Sequence, residues 1–311
     1  MKTYQRIYQK LKGQTDYVSG EELARDLALS RTSIWKAIQK LEDLGLVIDS
    51  QKKRGYKILE GDLLDADRLS QDLGLAVFFK EETTSTQQEA KELADQGYPQ
   101  DFLFLTAHQT RGKGRFDRPF YSNKTGGIYM TLRLQPATTY DEIPAYTILT
   151  VAACHKAILD LTGRICQIKW VNDLYLDGKK IAGILTEATG DFESGQVSNL
   201  FIGLGLNFCI KNFPPNLQET AGSLFKDQAP ISRNQLISAI WKNLLTIPEE
   251  QLIQIYKDNS LVLGKVVSFE KKGFTYKGQA IALSNNGHLL VELKDGEQMW
   301  LSSGEISLSS W

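Results

Sequence analysis

The chain has 311 residues, 42% of them apolar and 23% charged, so it is long enough for two or three folded domains. It contains no run of 18 apolar residues and no apolar signal-peptide core at its N-terminus, which argues against a membrane span and a secretory leader. The net charge is only −1, yet residues 1–60 hold 12 Lys and Arg against 8 Asp and Glu, an excess of four positive charges. A basic end on a nearly neutral chain hints at a nucleic-acid partner.

The first sixty residues predict a winged helix-turn-helix. A helical segment over residues 3–11 is followed by a helix that Ser19 caps, with Glu22 three residues on as in a capping box. After a short turn, Ser30 caps a third helix that ends at Gly45. Two short strands around a basic turn complete the pattern, in which the third helix enters the major groove of DNA.

The candidate DNA contacts are the outward side chains of the third helix and the cations of the hairpin tip, which suit phosphates. A helical interaction domain with solvated lysines is the alternative. We favour DNA binding because capping, turn length and hairpin agree. The predicted contacts are Arg31, Thr32, Ser33, Lys36 and Lys40 on the helix, and Lys52, Lys53 and Arg54 at the tip.

The middle of the chain predicts a mixed sheet with packed helices, because strands and helices alternate without a regular βαβ repeat. A predicted helix starts at Ser85 or Thr86 and ends at Gly97, so the polar residues Ser85, Thr86 and Gln87 lie at its N-terminus. Those side chains either cap the helix or hold a polar ligand. A helix over residues 141–162 is apolar on most faces and should be buried, with His155 on it packed or at the surface.

Residues 109–115, QTRGKGR, alternate glycines with cations and predict an anion site. The stretch is not a Walker A loop, because GxxxxGK[ST] needs four residues between its glycines and a hydroxyl after the lysine. It is not GxGxxG either, because Asp117 stands where the third glycine would be.

Lys169 lies among apolar strand residues, directly before Trp170. Buried lysines are rare unless paired, so Lys169 is either a catalytic or anion-binding residue or an edge-strand lysine whose head reaches water. Lys169 lies on the first strand of a predicted strand pair over residues 166–189, which turns at 177–178. In a later strand Gly203 and Gly205 allow close approach of a ligand.

The three cysteines have no metal-binding or CxxC spacing and sit among apolar neighbours, so we expect three buried thiols in a reducing cytoplasm. No metal site built from protein side chains is predicted. From Gly264 the chain reads as short strands with tight turns, which predicts a small antiparallel barrel. The predicted domains are residues 1–62, 63–262 and 263–311. The cysteines are Cys154, Cys166 and Cys209.

Eight motifs stand in order along nearly the whole chain: SRTSIWKAIQKLEDLG, TTSTQQ, QTRGKGR, GGIYMTLRL, KWVND, KKIAGILTE, IGLGLN and GEISL. Together they resemble the bifunctional biotin–protein ligases, or biotin–[acetyl-CoA-carboxylase] ligases, that double as biotin operon repressors. The resemblance implies an α+β multidomain fold. A winged helix-turn-helix would precede a central mixed α/β domain like that of class II aminoacyl-tRNA synthetases and lipoate ligases, and an SH3-like β-barrel would end the chain.

The resemblance also implies a two-step reaction. The carboxylate of biotin attacks the α-phosphate of MgATP to give biotinyl-5′-AMP, and a lysine of a biotin carboxyl carrier protein or domain then takes the biotinyl group. ATP and Mg²⁺ are the implied cofactors, and biotin is substrate and, as the adenylate, corepressor. The implied partners are the carrier, operator DNA and a second copy in a homodimer, with no membrane and a cytoplasmic location.

The implied catalytic residues are Lys169, which matches the lysine of the family's KWPND motif, and Arg115. Three residues depart from the family pattern: Lys113 replaces the usual Arg, Phe120 stands near a common Trp, and Gln87 replaces a common Asn. The implied biotin site comprises Ser85, Thr86, Gln87, Gln109, Lys113, Gly114, Arg115 and Lys169. The implied nucleotide site comprises Lys113, Arg115, Phe120, Asn172, Asp173 and Asn207.

Two other functions fit parts of the sequence. A metabolite-sensing repressor without catalysis would explain the winged helix, but gives no reason for both a strand lysine and a basic loop. A lipoate–protein ligase would explain the centre, but such enzymes usually lack the winged helix and the terminal barrel.

Overall fold

The computed structural model describes residues 2–136, 138–190, 195–271, 273–302 and 306–308. Its N-terminal unit is the predicted winged helix, because Ser19 and Ser30 accept hydrogen bonds from the backbone N–H groups three residues on and the apolar faces of the three helices form one buried cluster. Its elements are α1 (Thr3–Leu11), α2 (Gly20–Leu27), α3 (Arg31–Asp43), β1 (Val47–Gln51) and β2 (Gly55–Glu60).

The central unit is built on a seven-stranded mixed sheet in the order β3-β4-β5-β9-β8-β7-β6. The β3–β4 pair is parallel and the other pairs are antiparallel, so the predicted mixed sheet is confirmed. The elements are α4 (Ala66–Leu73), β3 (Ala76–Thr83), α5 (Thr86–Asp95), β4 (Phe102–Gln109), β5 (Gly127–Leu134), α6 (Ile143–Thr162), β6 (Gln167–Lys169), β7 (Asp173–Leu176), β8 (Lys179–Gly190), β9 (Val197–Asn207), α7 (Arg233–Thr246) and α8 (Glu249–Asp258).

Two details differ from the sequence prediction. The predicted strand pair at residues 166–189 is three strands, because a turn over 170–172 separates β6 from β7. Cys154 and Cys166 are buried, but Cys209 is only half-buried. Helix α6 is buried as predicted, and His155 on it is 1% exposed. No helix among the described residues is long and apolar enough to cross a membrane.

The C-terminal unit is a five-stranded antiparallel sheet in the order β13-β12-β11-β10-β14. The first two residues of the GEISL motif, 304 and 305, lie outside the described part of the chain. Closure of the sheet into an SH3-like barrel and the predicted domain boundaries stay predictions. The strands are β10 (Val266–Lys271), β11 (Phe274–Leu283), β12 (Leu289–Leu293), β13 (Gln298–Leu301) and β14 (Ile306–Leu308).

Polar contacts join the three units. Arg233, at the start of α7, pairs with Asp62 at 2.6 Å, and both side chains are nearly buried. Trp170 Nε1 donates to the carbonyl of Gly287 in the C-terminal unit at 2.8 Å. Removing one partner of a buried ion pair is costly, so Arg233 and Asp62 hold the connection between winged helix and sheet firmly.

Candidate active site and DNA-binding face

A cavity of about 550 Å³ lies against β8 and β9. It brings together, from seven segments of the chain, all of the side chains predicted to bind biotin or nucleotide. Its volume lies in the range of small-molecule sites. The predicted residues that line it are Ser85, Thr86, Gln87, Gln109, Lys113, Gly114, Arg115, Phe120, Lys169, Asn172, Asp173 and Asn207.

The floor of the cavity is a polar network at the start of α5. Thr86 donates its backbone N–H to Gln109 Oε1 at 2.8 Å. The hydroxyl of Thr131, a fully buried residue of β5, lies 2.9 Å from both Thr86 Oγ1 and Gln87 Oε1. Such fully connected buried networks fix side-chain positions, so the floor is preorganised.

Ser85 occupies the N-cap position of α5, as predicted, but its side chain makes no capping hydrogen bond. Ser85 is instead one of the residues that line the cavity. Plain capping therefore does not explain Ser85, and the alternative prediction of a polar ligand at this helix N-terminus is favoured.

Gln87 has structural partners that the sequence did not indicate. Its Nε2 lies 3.3 Å from the carbonyl oxygens of Leu185 and Phe201, on β8 and β9. A Cβ atom on Gly203 would lie only 2.8 Å from Gln87 Oε1. Gly203 therefore leaves room for the Gln87 amide across the sheet, and the predicted contact of Gln87 with biotin stays a prediction.

The cavity is strongly positive. Among the residues that the structure describes, five cationic side chains and one carboxylate, that of Asp173, line it, which is an excess of four positive charges. Asp173 lies 2.6 Å from Lys180 Nζ. A cleft with one sign of charge concentrates ligands of the opposite sign. The cations are Lys113, Arg115, Arg118, Lys169 and Lys180.

Lys169 is the last residue of β6, an edge strand of the sheet. Its Nζ lies 5.7 Å from the ring centroid of Tyr175 and its side chain lines the cavity. The two predictions for this lysine, an edge-strand position and an anion-binding role, are therefore compatible, because this edge of the sheet also lines the cavity. The following turn is held by Trp170 and by Tyr256, whose hydroxyl donates to the carbonyl of Val171 at 3.0 Å.

The basic loop contributes Lys113, Gly114 and Arg115 to the lining of the cavity. Lys113 Nζ lies 2.8 Å from Asp117 Oδ1, and both side chains are exposed. The hydrogen bond between them lowers the pKa of Asp117 and raises the pKa of Lys113, so both are charged at neutral pH. Phe116 and Asp117 have φ angles of 56° and 57°, a left-handed conformation that residues other than glycine seldom adopt. Such strained backbone clusters at functional segments.

Phe120 packs closely against Gly205, a glycine of β9. A Cβ atom on Gly205 would lie 2.5 Å from the Phe120 ring, so only glycine leaves room for it. The Tyr129 ring packs against Phe120 in an edge-to-face arrangement, with ring centroids 6.4 Å apart. Burial raises the pKa of Tyr129 to about 12, so its hydroxyl stays protonated. Phe120 is thus a fixed aromatic surface within the cavity, as stacking on adenine would need.

The two predicted asparagines differ. Asn172 Nδ2 donates to the carbonyl of Ile184 at 2.8 Å, which pins the turn to β8. Asn207 Nδ2 donates to the carbonyl of Gly222 at 2.8 Å, whereas its buried Oδ1 has no partner within the described residues. Because Asn207 lines the cavity, its oxygen is placed to accept a hydrogen bond or bind a cation there.

Sequence reasoning missed Arg118, Lys180 and Ile306 as lining residues. Lys180 stands in the motif KKIAGILTE and Arg118 directly follows the basic loop, so the sequence held a signal for both. Ile306 belongs to the C-terminal unit, and nothing local marked it. In the described ranges no three His, Cys, Asp or Glu side chains cluster as metal ligands.

The helix α3 and the hairpin tip border a second cavity of about 600 Å³, which Arg31, Lys52 and Lys53 line. Arg54 lies over the ring of Tyr17 at 4.2 Å and donates to Gln51 Oε1. Arg31, Lys52 and Lys53 therefore share one part of the surface of the winged helix, as DNA binding requires.

Three of the residues predicted to contact DNA, Lys40, Ser33 and Arg31, have partners within the protein. Lys40 Nζ lies 2.6 Å from Glu81 Oε2 on β3 and therefore joins α3 to the central unit. Ser33 is half-buried and donates its N–H to Ser30 as part of the helix cap. Thr32 and Lys36 are exposed as expected, and Arg31 pairs with exposed Glu21 at 2.6 Å. A surface pair of this kind is weak enough to exchange for a phosphate.

Family models match the chain in three segments. The HTH domain matches residues 4–57, the Biotin/lipoate A/B protein ligase family matches 79–207, and the Biotin protein ligase C terminal domain matches 262–309. The biotin protein ligase of Aquifex aeolicus, solved in complex with biotin and ATP, superimposes with a TM-score of 0.60 over 75% of this chain and 97% of its own, at 23% identity. The fold is that of a protein ligase to which an HTH domain is attached.

Two curated relatives match nearly end to end. The "Bifunctional ligase/repressor BirA" of Bacillus subtilis is 28% identical over 90% of this chain and 91% of its own. The protein of the same name from Escherichia coli is 28% identical over 95% of this chain and 94% of its own. The chain belongs to this family of bifunctional biotin ligase/repressors.

Proposed function

We propose that the protein is a biotin–protein ligase that forms biotinyl-5′-AMP from biotin and ATP, transfers biotin to a lysine of a carboxyl carrier protein, and represses transcription in response to biotin. The cavity carries this proposal. It combines five cations, a preorganised polar floor at the start of α5 and an aromatic surface, which suit an acyl-adenylate.

In the first step a carboxylate oxygen of biotin attacks the α-phosphorus of ATP. The bond from that phosphorus to the oxygen bridging to the β-phosphate breaks, and pyrophosphate leaves with the electron pair. Two anions must approach each other, so positive charge that grows more effective in the transition state lowers the barrier. Lys169, at the end of β6, is assigned this task, and Lys113, Arg115 and Arg118 neutralise the phosphates.

In the second step a lysine amine of the carrier attacks the acyl carbon of the mixed anhydride. The bond from that carbon to the phosphate oxygen breaks, AMP leaves, and the nitrogen loses a proton. Asp173 is the one carboxylate that lines the cavity in the described ranges, so it is the residue best suited to attract the ammonium of the incoming lysine.

Magnesium is proposed as part of the MgATP substrate. Mg²⁺ prefers oxygen ligands and is commonly held by one or two carboxylates together with substrate phosphates. Asp173 and the unpartnered oxygen of Asn207 are the oxygen donors in the cavity that fit this pattern. The ion would neutralise phosphate charge when it enters with the nucleotide.

A ligase assay tests the enzymatic part. Biotin, ATP and a purified carrier domain should give biotinylated carrier and pyrophosphate, and lipoate should not replace biotin. A protein that binds biotin without labelling the carrier would instead be a metabolite-sensing repressor, and preference for lipoate would make it a lipoate–protein ligase.

The proposed repressor acts as a homodimer that places two winged helices on an operator with inverted repeats. The contact between cavity and winged helix supports a link between ligand and DNA. The segment that lines the cavity at Phe120 continues to Thr125, which packs so tightly on Gly45 that a Cβ atom there would lie 2.5 Å from it. Footprinting with and without biotin and ATP tests this, and ligand-independent protection would contradict a biotin switch.

Two glycines of β9 allow the biotin and nucleotide sides to be tested separately. Gly203→Ala would press on Gln87 Oε1, and Gly205→Ala would press on the Phe120 ring. We expect the first change to weaken biotin binding and the second to weaken ATP binding, each about tenfold, because well-packed groups resist added volume at about 1–3 kcal/mol. Separate calorimetric titrations of each variant check this, and a reversed pattern would contradict the assignment of the two sides.

The proposal includes an SH3-like closure of the C-terminal sheet. β13 and β14 are its two edges, and only residues 302–305 connect them. Four strand spacings would separate the edges of a flat sheet by about 19 Å. The five Cα–Cα steps from residue 301 to residue 306 span at most about 18 Å, so a curled sheet suits this short connection better than a flat one.

A further inference from the structure

Trp35 is a large apolar side chain on the outward face of α3. It is 53% exposed, more than Val47 or Leu59, the other exposed large hydrophobic residues of the winged helix. Those two line the cleft toward the central unit, whereas Trp35 lines none of the three described cavities. Its exposure therefore has no explanation in the packing of the described residues.

The core of the winged helix is complete without this tryptophan. The buried face of α3 is formed by four other side chains, and they pack against the apolar faces of α1 and α2. Single exposed hydrophobic residues are common, but this one is the fifth residue of the helix that faces DNA. The four core residues of α3 are Ile34, Ala37, Ile38 and Leu41.

The polar residues around Trp35 favour nucleic acid as the occupant of this face. Within one turn on either side, the charged residues of α3 are Arg31 and Lys36, and both are positive. The cations of the hairpin tip, Lys52 and Lys53, border the same end of the helix. A second copy of this face would oppose like charges, whereas phosphates complement them.

Phosphate contacts fix the position of a protein on DNA but do not read its sequence. An apolar side chain in the major groove reads the 5-methyl group of thymine, which the other bases lack there. We propose that Trp35 is a specificity-determining residue that packs its indole against a thymine methyl group in the operator. This inference rests on the proposed DNA-binding function and adds a feature of the sequence that is recognised.

The full-length protein, with biotin and ATP present, is first used to select the duplexes that it binds from a pool of random sequence. A selected duplex is the probe. Each thymine is then replaced in turn by deoxyuridine, which differs by the methyl group alone. Burial of one methyl group contributes about fourfold in affinity. We expect the parent protein to lose about fourfold at the contacted thymine, and Trp35→Ala to bind the unmodified duplex more weakly and to be indifferent to that replacement.

Trp300→Ala is the matched control, because Trp300 is 49% exposed and lies on β13 in the C-terminal unit. It should retain the parent's response to deoxyuridine. The inference is overturned if Trp35→Ala loses as much affinity as the parent at every thymine that is replaced by deoxyuridine. It is also overturned if the only effect of Trp35→Ala is a changed oligomeric state in sedimentation. Failure of the pool to enrich any sequence would overturn the DNA-binding function as a whole, and this inference with it.

Discussion

Lys169→Met is expected to abolish biotin-dependent pyrophosphate release while the protein remains folded. The ammonium group lies in the wall of the cavity at the end of β6. Methionine keeps the length and apolar character of the side chain and removes the charge. Loss of one preorganised electrostatic group typically costs a factor of about a hundred to a thousand in rate. A pyrophosphate-release assay, with thermal unfolding to verify the fold, measures the effect.

Lys156→Met is the control for the loss of a lysine. Lys156 lies on α6, pairs with Asp160 at 2.6 Å and lies outside the cavity lining. This variant should release pyrophosphate at the parent's rate. If Lys169→Met also did so, the assigned role of Lys169 in adenylate formation would be refuted.

Arg115→Gly is expected to let the adenylate escape and label bystander proteins. Arg115 belongs to the loop at the cavity mouth, where backbone N–H groups of Gly114 and Phe120 hold the loop closed on itself. Losing the guanidinium removes the proposed bidentate partner of the adenylate phosphate, and the added glycine loosens the loop. A closed loop also shields a reactive anhydride from water.

The readout is biotin attached to an added bystander such as serum albumin, together with the rate at which the adenylate leaves the protein. We expect both to rise at least tenfold. Arg111→Gly is the matched control, because Arg111 is an exposed arginine of the same loop outside the cavity lining. Retention of the adenylate by Arg115→Gly at the parent's rate would refute the role of this loop as a lid.

Much of the local structure followed from the sequence. Ser19 and Ser30 cap their helices as predicted, because a cap depends on residues only three positions apart. The strand pair at residues 166–189 was less accurate. A turn of only three residues does not interrupt the periodicity of the sequence clearly, so the sequence predicts one strand where the structure has β6 and β7.

The sequence predicted which residues line the candidate site but not the contacts that those residues make. Motif order along the chain identified twelve lining residues, since the resemblance carries their identity even where single motifs are short. The partners of those residues were not predictable. The resemblance places Gln87 in the biotin site but gives no sign that its amide also lies between β8 and β9, about a hundred residues further along the chain.

The sequence by itself determined the helix caps, the basic winged helix, the mixed sheet and twelve of the residues that line the cavity. Only the tertiary structure decided that Lys40 binds Glu81 and joins the winged helix to the sheet, and that Lys180 and Ile306 complete the cavity. The physical reason is the separation in sequence between the interacting residues. Caps, turns and periodicity depend on neighbours within one or two turns, whereas these contacts join segments that only the packed sheet and the adjoining units bring together.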